Sequence, residues 1–293
     1  MKEQCFVCPR NCGAVRTENS GNGYCKSGLL PKVARVAPHY WEEPCISGTN
    51  GSGTVFFSGC SLKCVFCQNY SISNEVFGKT VPIEKLCDYY KKLEAAGVHN
   101  INLVNPTHYA KAILKSFEIY KPKIPIVYNS SGYEKIETLK MFEGIVDIYL
   151  PDFKYSDDYI ASKYSNVSNY TSTAVSAISE MLRQTGKAQF DSNGIMQKGT
   201  IIRHLILPNN VYNSLEALDI IKDNFSEKTL VSLMAQYTPL GKASDYSEIN
   251  RKITEHEYNK VLNHLIELGF DGFVQELSSA STSYVPVFDL EGV

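Results

Sequence analysis

Gly59-Cys60-Ser61-Leu62-Lys63-Cys64-Val65-Phe66-Cys67-Gln68-Asn69 is the stretch on which the fold turns. Its Cys-x3-Cys-x2-Cys spacing lets one short loop bend three thiolates onto three corners of a cubane iron–sulfur cluster. With no fourth cysteine nearby, one iron is left open to a substrate or cofactor. Zinc is the competing occupant, but closed zinc sites normally draw four ligands from two separated pairs, and here three cysteines stand together.

The loop follows a strand-like run, Gly53–Ser58, and from there short β-rich runs alternate with helical patterns. The expected strands are 53–58, 101–104, 124–129, 146–150, 200–207, 230–236 and 272–275. Most are continuous apolar runs, as parallel strands covered on both faces require. Ile83, Leu86, Cys87, Tyr90 and Leu93 repeat at helical spacing up to a C-terminal Gly97, with Cys87 as a small core residue. Thr254-x-x-Glu257 reads as a capping box ahead of Tyr258, Val261, Leu262, Leu265 and Ile266, and Asn213-Ser-Leu-Glu216 as a second box ahead of Leu218 and Ile221. Asn193-Gly194 signals a type I′ hairpin turn within 189–197. Six or seven parallel strands with flanking helices make an α/β fold, a partial or full barrel, whose function gathers at the carboxyl ends of the strands.

The three cysteines, with aromatic Phe66 ahead of the last, resemble the signature of radical S-adenosylmethionine (SAM) enzymes. The resemblance implies a partial (β/α)6 barrel over about residues 51–293, a 4Fe-4S cluster on Cys60, Cys64 and Cys67, and SAM chelated to the open iron beside Phe66. An electron from the reduced cluster then splits SAM to a 5′-deoxyadenosyl radical, which takes hydrogen from a substrate. Cys67-Gln-Asn69 is similar to the Cys-x-Asn continuation of the activating enzymes of glycyl-radical enzymes, of which the pyruvate formate-lyase activating enzyme is the best known. That branch implies a glycine of a partner protein as hydrogen donor and an electron donor such as flavodoxin or ferredoxin.

Carried over position by position, the resemblance distributes site residues along the strand ends. After the second strand the family shows Gly-Gly-Glu for the SAM amine, and this chain has Asn105-Pro-Thr107-His108, whose Asn105 and Thr107 oxygens can accept from an ammonium. Strand three ends in Asn129-Ser130-Ser131-Gly132, a turn that offers hydroxyls and an amide to ribose or carboxylate, or else ordinary turn chemistry. Asp152-Phe-Lys154 matches the Asp-x-Lys of the activases, and period-two geometry presents the anion and cation together on the substrate side. Arg203 offers a guanidinium fork to the SAM carboxylate, while neighbouring His204 points to the opposite face as a structural histidine. Met234, Gln236, Tyr237, Gln275 and Glu276 lie at the last strand ends, within reach of adenine or substrate or else in the core.

A second cluster, Cys5, Cys8, Cys12 and Cys25, falls in a segment of about 50 residues set apart from the barrel. Four thiolates in a stretch this short suit structural zinc or an auxiliary iron–sulfur cluster, with metal binding standing in for an apolar core. The spacing does not choose between them.

Bulk properties narrow the function classes. The 293 residues are 43% hydrophobic, enough for a large core, and net charge −2 with pI near 6.3 gives no basic footprint for nucleic acid. No apolar run has signal-peptide or membrane-spanning length, and seven of nine cysteines fall in the two clusters, so a reducing, cytoplasmic setting is expected. Three functions follow: a glycyl-radical-enzyme activase; a radical SAM enzyme acting on another peptide, a metabolite or RNA; and, from another class, a non-catalytic zinc-binding interaction module.

Overall fold

The computed structural model describes residues 2–225 and 229–293. A two-stranded antiparallel ribbon, β1 (Glu3–Cys5) and β2 (Ala14–Arg16), carries Cys5 and, in its connecting loop, Cys8 and Cys12, while Cys25 follows beyond β2. All other strands join one sheet.

Seven strands form its parallel body: β4 (Ser52–Phe57), β6 (Ile101–Val104), β7 (Ile126–Ser130), β8 (Ile148–Pro151), β10 (Met196–Leu205), β11 (Leu230–Met234) and β12 (Gly272–Val274). Each lies where an apolar run predicts a strand. Two antiparallel strands extend the sheet beyond β4: β3 (Lys32–His39), which no period in the sequence announces, and β5 (Lys79–Thr80). The strand order β12-β11-β10-β8-β7-β6-β4-β3-β5 leaves β12 and β5 as its two ends, so the sheet is a partial barrel.

Helices α3 (Ile83–Ala95), α4 (Ala110–Ile119), α5 (Ile136–Lys140), α6 (Asp158–Ser165), α7 (Tyr170–Thr185), α8 (Val211–Asn224) and α9 (Glu255–Glu267) connect the strands, and no described helix is long and apolar enough to cross a membrane. Alternation along the strands sorts two faces. Tyr128, Tyr149 and Ile202 face the helices in the main core, while Val127, Ile148, Leu150 and Ile201 pack instead against Cys45 and Ile46. Those two belong to a single turn, α1 (Pro44–Ser47), which therefore occupies the barrel interior at the strands' amino ends. Cys45 is 6% exposed, and Cys87 is 2% exposed with its thiol toward the Ser116 carbonyl.

Local signals fare unevenly. The Thr254–Glu257 capping box forms in both directions, and Gly97 takes the left-handed conformation just past α3. The second box does not: α8 starts at Val211, and Asn213, already inside it, accepts from Ser156 N and donates to the Lys154 carbonyl. A partner across the loop outcompetes the local cap. The hairpin of β9 (Gln189–Phe190) with β10 forms, but its turn is not type I′. Gly194 has φ +77° while Asn193 does not turn left-handed, and Gly194 N donates to Asp191 O. Asp191 at the first position and glycine at the fourth are type I chemistry, and the Asp191 carboxylate fixes it by accepting from Asn193 N and Ile195 N.

Candidate active site

At the carboxyl ends of the parallel strands lies a cavity of about 380 Å³. Its wall includes Cys60, Cys64, Cys67, Phe66, Asn69, Asn105, Asn129, Ser131, Asp152, Lys154 and Arg203, residues spread over 144 positions of sequence (203 minus 59). Met234, Gln236, Tyr237 and Gln275 line it too.

The cysteine loop between β4 and α2 (Tyr70–Ser73) is held by its own sulfurs. Leu62 N donates to Cys60 Sγ at 3.3 Å, and Ser165 Oγ, itself paired with Tyr155, stands 2.9 Å from Cys64 Sγ. Burial pushes the Cys67 thiol up to about 12 and raises Cys60 as well. Thiolates there depend on the positive charge of bound iron. Phe66 packs edge-on against Tyr164 and Tyr237 and so fixes the loop against the wall.

Opposite the loop runs a network of alternating charge. Lys154 Nζ meets Asp152 Oδ2 at 2.5 Å, Asp152 Oδ1 accepts from Arg203 Nε at 3.0 Å, and Arg203 Nη1 donates to Glu42 Oε2 at 3.0 Å. Asn129 joins it, accepting from Arg203 through Oδ1 and donating to Glu42 through Nδ2. All four charged side chains are less than one-fifth exposed. Burial by itself would raise the Asp152 carboxyl, but the Lys154 and Arg203 charges outweigh it and hold the group below the usual carboxylate range. Burial also works against the Lys154 ammonium, and the negative charges of Asp152 and of Cys64 more than offset it. Lys154 thus lies within electrostatic reach of the cluster loop.

Gly132, φ +74°, lets the Ser131 turn lie directly against the Asp152 carbonyl, a contact a Cβ would block. Asn105 adopts the left-handed conformation that Asn tolerates, and its Nδ2 ties back to the Gly59 carbonyl at 2.6 Å. Thr107 is placed elsewhere: buried, it donates to Glu134 Oε1 at 2.8 Å, away from the cavity wall. His204 is the structural residue its alternation predicts, bonded to the Phe153 carbonyl and Ser214 and held neutral by burial, down to about 4.

Sequence reasoning misses Glu42, Ser165 and Thr238. Buried atoms of the cavity wall still lacking partners, among the described residues, are Asn69 Oδ1, Ser131 Oγ and Thr238 Oγ1. Such atoms fit a polar ligand rich in amine and hydroxyl groups. Among the described residues no group of three or more His, Cys, Asp or Glu is arranged to hold a single metal ion. A cubane asks something different of Cys60, Cys64 and Cys67, because each thiolate binds its own iron.

Family comparison agrees with this geometry. Residues 54–217 match the radical SAM superfamily model, more than half of the chain. A Methanocaldococcus jannaschii protein named only as uncharacterized is 35% identical over 271 residues, covering 89% of this chain and 73% of its own length. The chain belongs to the radical SAM superfamily, whose members cleave SAM at an iron–sulfur cluster. Solved structures share the fold at low identity. A radical SAM methyltransferase from Sphaerobacter thermophilus aligns with TM-score 0.53 and 14% identity, over 78% of this chain and 69% of that one. SuiB from Streptococcus suis, bound to S-adenosylmethionine, aligns with TM-score 0.52 and 16% identity over 75% of this chain. This chain spans only 49% of SuiB.

Proposed function

We propose that this protein is a radical SAM activase of a glycyl-radical enzyme, abstracting hydrogen from a glycine of a partner protein. When bound, the cluster on Cys60, Cys64 and Cys67 supplies the electron that cleaves SAM to a 5′-deoxyadenosyl radical. The chain's own residues bind and orient. Arg203, locked by Asp152, Asn129 and Glu42, keeps the rest of its guanidinium fork for the SAM carboxylate. Asn69, Ser131 and Asn105 contribute amide and hydroxyl groups to the amine and ribose, and Phe66 borders the cofactor. The observation that carries the activase reading is the buried Asp152–Lys154 pair facing the cluster loop, next to Cys67-Gln-Asn69, as in those enzymes' motifs. A flavodoxin or ferredoxin supplies the electron, and the N-terminal cysteines hold a second metal centre, zinc or iron–sulfur.

A single anaerobic assay tests both levels. Reconstituted protein with SAM and dithionite yields 5′-deoxyadenosine, and Cys64→Ala yields none; equal product from both would remove the cluster from the reaction. With a purified glycyl-radical enzyme carrying deuterated glycine, deuterium appears in the 5′-deoxyadenosine together with a glycyl-radical signal in electron paramagnetic resonance. SuiB has been seen with a precursor peptide in place, so such a peptide is the contrasting probe. Deuterium transferred from the peptide and not from the glycyl-radical enzyme would replace activation with peptide maturation.

A further inference from the structure

The N-terminal segment contains a buried positive charge without a carboxylate. Arg16 is 6% exposed, and its guanidinium bonds the His108 carbonyl through Nη1 and lies 3.3 Å from Cys25 Sγ through Nη2. Among the described residues no carboxylate pairs with it. Glu3, its register partner across the ribbon, is committed to Lys111 instead. A guanidinium is never neutral in a protein, and burying one unpaired is costly, so an anion belongs beside it.

The four thiols supply one once a metal is bound. Cys5, Cys8 and Cys25 are buried and Cys12 is exposed; as they stand the four do not surround a single ion, so a zinc would have to draw them together, whereas a cubane takes one thiolate per iron at wider spacing. Their spacing brings Cys5 and Cys8 within electrostatic reach of Cys25. Four thiolates exceed the positive charge of one zinc ion or of a cubane, so either centre is anionic.

The same segment grips the radical-cluster loop. Arg10, between Cys8 and Cys12, stacks 3.6 Å over the Tyr24 ring and donates to the Ser61, Ser165 and Asn166 carbonyls. Tyr24 Oη donates to Leu62 O at 3.1 Å. The Cys25 carbonyl and Ser27 Oγ lie so near Gly59, φ +92°, that an added Cβ would come within 2.7 and 2.5 Å of them. Every gripping residue is within two positions of a candidate ligand.

We propose that Arg16 is the buried counter-ion of a four-thiolate metal centre on Cys5, Cys8, Cys12 and Cys25, and that this centre braces the loop bearing Cys60. The proposal rests on the reading that these cysteines hold a metal, and the test separates the two. In the full chain with Cys60, Cys64 and Cys67 all changed to Ser and purified anaerobically, elemental analysis finds about one zinc, or about four irons with matching sulfide, per chain. Adding Cys25→Ser abolishes it. Absence of both metals before that addition overturns the metal reading.

Given a bound metal, Arg16→Gln in the same background shortens its half-life against a chelator at least tenfold, while Arg16→Lys, checked as folded by circular dichroism, keeps most of it. Equal half-lives in all three overturn the counter-ion role. With the radical cysteines intact, Cys25→Ser speeds amide hydrogen exchange in residues 59–67 at least tenfold. Unchanged exchange there overturns the bracing.

Discussion

The protonation of Glu134 couples directly to stability. It is 2% exposed, bonded to Thr107 and Tyr128, and burial pushes its carboxyl up to about 7. The unfolded chain titrates this group near 4.5, so between about pH 4.5 and 7 the folded state binds the extra proton. The contribution of Glu134 to stability should therefore fall as pH rises through that window, by up to about 3 kcal/mol, and level off above it, while the buried neutral histidines His39, His108 and His204 act in the opposite sense below about pH 6.5. In denaturant titrations of wild type and Glu134→Gln at pH 5 and 8, the histidine contributions cancel between the two proteins, and the variant should gain up to about 3 kcal/mol relative to wild type on going from pH 5 to pH 8; an unchanged gap would remove Glu134 from the pH dependence. Asp152 works in the opposite sense: its depressed carboxyl adds stability above the ordinary carboxylate range that is lost only as acid titrates it. At this scale the sequence is legible where chemistry follows a strand end. Asn129, Asp152 and Arg203 could be placed before any coordinates because consecutive parallel strands deliver their ends to one rim. Glu42 could not, since it meets Arg203 across 161 positions from a segment with no motif of its own. Thr107 misled for a local reason: its hydroxyl turns to a buried acid instead of the cavity.

At the scale of elements, the parallel strands were readable because both faces are apolar, and β3 was not because its period breaks. A register shift between Val33 and Arg35 displaces the alternation, and Pro38 argues against a strand while sitting in one. The turn α1 is harder still, four residues with no helical period to detect. Its weight comes from packing: Ile46 is fully buried among Val127, Ile148 and Ile201, and the Ile46 carbonyl accepts from Asn100 Nδ2 at 2.8 Å. Ile46→Ala should cost about 2–5 kcal/mol, a fall in melting temperature of roughly 5–15 °C by calorimetry. A loss under about 1 kcal/mol would mean that the interior collapses onto the gap.

Over the whole molecule, the C-terminal run crosses the mouth of the cavity and docks on β3. Tyr284, Val285 and Pro286 line the cavity, and Tyr284 meets Trp41 edge-on at 4.8 Å. Beyond them Phe288 packs on Phe56, Glu291 O accepts from Val36 N, and Arg35 pairs with Asp289 and Glu291 while donating to Val287 O. Arg35 is the shared anchor, though its acidic partners are half exposed and each pair is worth little alone. Arg35→Ala should speed chymotrypsin cleavage after Tyr284 or Phe288 about three- to tenfold, with the rest of the chain resisting as before. Equal cleavage rates would show that the aromatic contacts alone hold the run down. The long-range ties between residue 35 and the chain end have no signature in sequence, because ion pairs of this kind carry no period and no spacing.

The turn α1 also decides how traffic through the barrel is organised. With Cys45 and Ile46 filling the interior at the strands' amino ends, cofactor and spent fragments are turned toward the opposite side, where the cavity lies. Turnover then becomes a queue: methionine and 5′-deoxyadenosine have to clear that side before fresh SAM can take their place.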